Sequence, residues 1–158
     1  MATSSFIDDF LREIPNYITC LPSDLITNVA NYPWVKSETV FFVVNLSPSY
    51  ILDDGHWILV IMYDNGDCEL FDSLALAKEY LPPDILKFLS IFKKVSFNRI
   101  QIQADHSNFC GVFVIARALS LIKSVTLPQF MENFHKEMLD KNDHIVTEYV
   151  MNNVKFLY

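Results

Sequence analysis

The sequence predicts an α+β domain: a small, central, mostly antiparallel sheet packed against a buried helix, with further helices flanking it. Three observations carry that expectation. Residues 40–44 and 57–63 form two short, almost wholly apolar runs rich in β-formers, as strands buried on both faces require. Asn65-Gly66, the dipeptide most typical of a tight hairpin, follows the second run after Asp64. Residues 112–122 are apolar nearly all round, the mark of a helix inside a core.

The elements follow in order. Phe6, Phe10, Leu11 and Ile14 recur at helical spacing, and Pro15 ends that run. Ser23 is suited to cap a second short helix through Leu25 and Val29. The two apolar strands come next, then the turn at 64–67 and a third strand over 68–71, antiparallel to the second and ending at Asp72. Pro82-Pro83-Asp84 opens an amphipathic helix through Ile85, Leu86, Leu89 and Phe92. Val95, Phe97, Ile100 and Ile102 suggest a strand with imperfect alternation. Asn108 is placed to cap the apolar helix beginning near Cys110-Gly111, and helices over 127–139 and about 143–156 close the chain. With 158 residues and no repeat or linker, residues 1–158 read as a single domain.

Composition narrows the functional classes. Hydrophobic residues are 51% and charged residues 20%, which excludes intrinsic disorder. The net charge is −7 and the densest basic cluster is Lys93-Lys94, which argues against a nucleic-acid partner. No run of eighteen apolar residues exists, so no membrane span is expected. The first six residues lack the basic and apolar regions of a signal peptide, so the Asn45-Leu46-Ser47 glycosylation triplet carries no weight. Cys20, Cys68 and Cys110 are an odd number at wide spacing, which suggests a reducing, intracellular location without disulfides. No CxxC, HExxH, phosphate-binding glycine loop or Gly-x-Ser-x-Gly elbow is present. No metal or other cofactor is therefore expected. His106 suits solvent or capping, and His135 and His144 lie on the closing helices without a ligand cluster. Cys20 and Cys68 read as packing residues.

A different set carries chemistry. Of three glycines, Gly66 makes the hairpin, Gly55 precedes His56 and Gly111 follows Cys110. Cys110 sits at the expected start of a helix, where free N–H groups and the helix dipole favour a thiolate. A small buried hydrophobe is the bland alternative. His56 and Asp72 are sixteen residues apart across a hairpin, which returns both to one edge of the sheet. There the acid can orient the imidazole and stabilise its charged form. Gln103, seven residues before Cys110, can donate to an oxyanion together with the Cys110 N–H. Gln101, two residues earlier, is its rival, and the local pattern leaves the choice open.

Gly55-His56-Trp57, Leu70-Phe71-Asp72-Ser73-Leu74, and Gln103 with Asn108-Phe109-Cys110-Gly111 together resemble the adenain-type cysteine proteases. These are the adenovirus maturation proteases and their relatives in virophages and large transposons. Their superfamily also holds the proteases that remove SUMO and related modifiers. The match spans residues ~40–122 in the order His, acid, Gln, Cys. The resemblance implies that Cys110 is the nucleophile, His56 the general base, Asp72 the orienting acid and Gln103 the oxyanion donor. It implies that Trp57, Gly55 and Gly111 bind substrate, Trp57 by helping to wall a narrow channel for small residues. A core aromatic is the equal alternative for Trp57. Asp72 within Asp-Ser-Leu is similar to the SUMO-directed branch, whereas adenovirus enzymes usually carry glutamate. The seven-residue Gln-to-Cys spacing is closer to the adenovirus branch. Residues 92–103 contain no cysteine for the disulfide-linked activating peptide of the adenovirus enzyme. The short chain is similar to a compact viral or transposon enzyme. The expectation is a monomeric cysteine endopeptidase that cuts viral structural precursors after small residues such as glycine. It would reside in host cytoplasm or nucleus, or in the virion. A ubiquitin-like deconjugase and a non-catalytic binding module of the same fold are the rivals.

Overall fold

The structure is a computed structural model that describes residues 3–30, 38–51 and 55–157; Met1 and Ala2, at the head of the segment read for a signal peptide, lie outside the described residues. Helix α1 (Ser4–Leu11) is capped by the Thr3 hydroxyl, which accepts from the Phe6 N–H. Asn16, at φ 68°, turns the chain into strand β1 (Tyr17–Pro22). A 3-10 turn and the one-turn helix α2 (Thr27–Ala30) precede β2 (Val40–Asn45), β3 (Trp57–Met62) and β4 (Cys68–Phe71). Helix α3 (Pro83–Leu89), β5 (Val95–Phe97), the long α4 (Cys110–Ile122), α5 (Leu127–Met131) and α6 (Asn142–Asn153) complete the order.

The α+β class stands, and the five strands form one sheet in the order β1-β2-β3-β4-β5. Its pairing is mixed rather than mostly antiparallel. The two inner pairings, β2–β3 and β3–β4, are antiparallel, and the two outer ones, β1–β2 and β4–β5, are parallel. Each parallel pairing needs a crossover. The first passes through α2 and the second through α3. The sequence reading places no strand at β1. It is an edge strand whose residues are mostly half-buried, so it lacks the apolar signature of β2 and β3.

Strands β2 and β3 are buried along their whole length, because helices cover both faces of the sheet. On one face Phe41, Val43, Trp57, Leu59 and Ile61 meet α1 and α4 through Ile7, Leu11, Phe113 and Val114. On the other, Phe42, Val44, Ile58 and Val60 meet Ile26, Ile85 and Phe88. Alternate residues thus serve opposite layers. The hairpin expected at Asn65-Gly66 forms: Gly66, at φ 89°, closes a turn in which its N–H bonds the Tyr63 carbonyl. The expected strand over 95–102 stops at Phe97, and the helix expected over 127–139 stops at Met131.

Helix α4 is the core helix expected from its composition, and two buried polar side chains, Arg117 and Ser120, lie within it. Arg117 is fully buried within it. Its Nε and Nη2 donate to the two Glu69 carboxylate oxygens, both at 2.9 Å. Nη1 donates to Ser120 Oγ and the Val125 carbonyl, and Nη2 also reaches the Tyr63 hydroxyl at 3.4 Å. All five guanidinium N–H groups are therefore used.

Candidate active site

The β3–β4 hairpin does what the sequence spacing requires. Leu59 pairs with Phe71, so His56 just before β3 and Asp72 just after β4 emerge at one end of the sheet. His56 Nε2 lies 2.5 Å from Asp72 Oδ1. That bond requires the Nε2 proton, which leaves Nδ1 as the nitrogen for a second partner. Gly55 adopts φ 54°, and a Cβ there would stand 2.0 Å from Asn45 Oδ1. At Gly55, expected at the substrate site, the turn into His56 presses against the Asn45 carboxamide, which any side chain there would have to displace.

Asp72 is fixed from several sides. Oδ1 also accepts from the Leu74 N–H at 2.9 Å, and Oδ2 from the Leu76 N–H at 3.0 Å. Its backbone is held by a side chain that the sequence reading passed over. Asn98 Oδ1 accepts from the Asp72 N–H at 2.8 Å, and Asn98 Nδ2 donates to the Asp72 carbonyl. Leu70 pairs with Phe97, so Asn98 carries on, by its carboxamide, the ladder that the backbone of β5 gives up there. This is the physical reason for the broken alternation over 95–102. That break, coinciding with an asparagine, was the one available signal.

Cys110 is the first residue of α4 and is buried. The expected Asn108 cap is not made: Phe109 holds the N-cap position without a side-chain bond, and Asn108 is exposed. The N–H groups at the helix head are therefore not taken by a cap. Burial alone would raise the thiol pKa. Hydrogen bonds from His56 and the Trp57 N–H, the His56 charge and the Gly111 N–H outweigh it and hold Cys110 below the ordinary thiol range. Burial alone would likewise lower His56, but its bonds to Asp72 and Cys110 and their negative charges carry it from 6.5 to about 9. The two shifts favour a thiolate–imidazolium pair. The other thiols behave in the opposite way: burial pushes Cys20 and Cys68 up to about 12.

The structure separates the two glutamines. Gln101 Nε2 donates to the Gln103 carbonyl and to Asp105 Oδ1, both at 2.7 Å, so both amide hydrogens are used. Gln103 is buried, and its Nε2 donates once, to the Ser107 carbonyl at 2.8 Å. One amide hydrogen is left on Gln103. The chain around it is clamped by Asn142, whose Nδ2 donates to the Ile102 carbonyl, and by Asp143, which accepts from Ser107 Oγ.

Trp57 is buried at the start of β3. Its ring belongs to the core cluster, and its indole N–H is buried without a partner among the described residues. It also lines a cavity of about 380 Å³ with Cys20, Pro22, Asn45 and Ile51, at the same end of the sheet as His56. A larger cavity of about 890 Å³ lies at the other end of α4, beside Glu69 and Tyr63. His106 and His144 are exposed and pair with Asp140 and Glu148. Among the described residues no three His, Cys, Asp or Glu side chains are grouped to hold a metal ion, and no helix is long and apolar enough to cross a membrane.

No family model matches the chain, and no curated protein matches it. A solved structure similar to it is the central domain of the uncharacterized Lpg1148 protein from Legionella pneumophila. That domain is 17% identical, with 96% of this chain and 97% of that one covered and a TM-score of 0.48. No role passes from that domain to this chain at such a likeness.

Proposed function

We propose that this chain is a cysteine endopeptidase of the adenain-like kind. The observation that carries the proposal is His56, bonded at Nε2 to Asp72 while its side chain also engages a Cys110 thiol held below the ordinary range. The Cys110 sulfur attacks the carbonyl carbon of a peptide bond. The oxyanion is received by the remaining Gln103 amide hydrogen and the Cys110 N–H at the helix head. His56, protonated, gives its proton to the leaving amine. Water, activated by the now neutral imidazole, then releases the acyl group from sulfur. Asp72 keeps the imidazole in one orientation and stabilises its charge throughout.

The substrate side of the proposal rests on the resemblance of the His-Trp, Asp-Ser-Leu and Cys-Gly segments. It names viral structural precursors cut after small residues such as glycine, with Trp57 restricting the space before the scissile bond. A ubiquitin-like deconjugase uses the same chemistry, and Asp72 in Asp-Ser-Leu favours it as the second reading. Incubation with candidate precursors, wild type beside Cys110→Ala, with new N-termini read by mass spectrometry, tests the first. A panel of modifier-tagged fluorogenic substrates tests the second. Cleavage that survives Cys110→Ala rules out both.

A further inference from the structure

We propose that Ser73 is a positioning residue for oxyanion stabilisation, acting through Gln103 and resting on the cysteine-protease reading above. Ser73 and Gln103 are both buried, at 0% and 2% exposure. The Ser107 carbonyl can only accept, so the Gln103 nitrogen must face it. The Gln103 Oε1 then faces Ser73 Oγ at 2.5 Å, and the hydroxyl must be the donor. This fixes the carboxamide in one of its two flips and leaves one Nε2 hydrogen unspent. Ser73 also grips the Gln103 backbone: its carbonyl accepts from the Ile102 and Gln103 N–H groups, both at 3.0 Å. Ser73 adjoins Asp72, so the acid that orients His56 and the grip on the oxyanion donor share one stretch of backbone. Without the hydroxyl, Gln103 Oε1 is left unpartnered in a closed site, and the amide regains freedom to rotate away from its working position.

The test combines turnover with two readings that do not depend on Gln103. Ser73→Ala is expected to lower kcat roughly ten- to a hundredfold, less than or equal to the loss from removing an oxyanion donor outright. KM and the Cys110 alkylation rate stay within about twofold of wild type, because Ser73 acts through neither substrate binding nor His56. In a Gln103→Ala background, Ser73→Ala is expected to cost nothing further in kcat. Full multiplicative losses in that double variant, an unchanged kcat in Ser73→Ala, or alkylation falling in step with kcat would each overturn the proposal. Should Ser73→Ala fail to fold, Ser73→Gly removes the same hydroxyl without adding volume to the buried site and carries the same expectations. The side-chain amide resonances of Gln103 separate this proposal from the protease reading. They are expected to shift and broaden in Ser73→Ala whether or not any substrate is cut, and unchanged resonances would overturn the positioning role alone. Absence of Cys110-dependent cleavage in wild type would overturn the protease reading instead.

Discussion

Helix α4 and the β3–β4 hairpin meet at two places, and a base–acid pair stands at each: Arg117 of α4 with Glu69 of β4, and His56 with Asp72, both on the hairpin, beside Cys110 of α4. At the far end Arg117 and Glu69 form a closed pair: their side chains are 0% and 4% exposed, and every guanidinium N–H has an acceptor. At the near end His56 and Asp72 are 14% and 4% exposed, and capacity is left over. The thiol of Cys110, its own N–H and one amide hydrogen of Gln103 remain for something else. The same two elements thus make a structural ion pair and a candidate catalytic one. What separates them is not charge or burial but whether every donor is spent. A pair with nothing left over can only hold the fold together, whereas a pair with unspent donors around a thiolate can act on a substrate.

Substitutions can break that comparison. The largest expected effect is at the open end. Cys110→Ala removes the nucleophile, and cleavage should fall by at least about ten-thousandfold while the thermal midpoint moves little, measured by peptide turnover and calorimetry. At the closed end the effect should fall on stability instead. Arg117→Met leaves Glu69 charged and buried, and denaturant unfolding should show a loss of about 3–5 kcal/mol. Replacing both partners, Arg117→Met with Glu69→Leu, should recover most of that loss, because no unpaired charge then remains.

Asp72→Asn comes next. It should lower turnover roughly a hundredfold. It should also move the pH profile in a definite direction. Wild-type kcat/KM should rise on the acid side as the thiolate of Cys110 forms, below the ordinary thiol range. It should fall as pH climbs through about 9, where the His56–Cys110 pair loses the imidazolium proton. Without the Asp72 charge the imidazolium is less favoured, so the alkaline limb should move to lower pH. A limb that stays in place would separate Asp72 from His56. The smallest effect is expected at Asn98→Ala. It strips partners from the buried Asp72 backbone, which should cost about 1–3 kcal/mol in stability, with roughly tenfold slower turnover.

Much of this was legible in the sequence, for particular reasons. The apolar runs of β2 and β3 and the largely apolar α4 carry local signals tied to burial on both sides, and the Asn-Gly turn carries one tied to its backbone geometry. His56 and Asp72 could be brought together on paper because a hairpin has a fixed register. Strand β1 could not be seen, since an edge strand in parallel pairing has neither alternation nor a turn to announce it. The Asn108 cap failed because a preference for asparagine at helix starts says nothing about where its side chain points. Arg117 lies inside the apolar run of α4, and its partner Glu69, forty-eight residues away, carries no local signal of the pairing. Gln103 and Gln101 could be told apart only by counting which amide hydrogens were already taken.

The central claim is that the sulfur at the head of α4 and the imidazole at the mouth of the hairpin act as one unit. Alkylation of the folded protein at neutral pH, resolved by cysteine in a mass spectrometer and repeated on His56→Ala, tests it most directly. The account predicts that Cys110 is modified far faster than Cys20 or Cys68 and that the His56→Ala substitution removes most of that advantage. Equal rates at the three thiols, or a fast Cys110 that ignores the loss of His56, would contradict it.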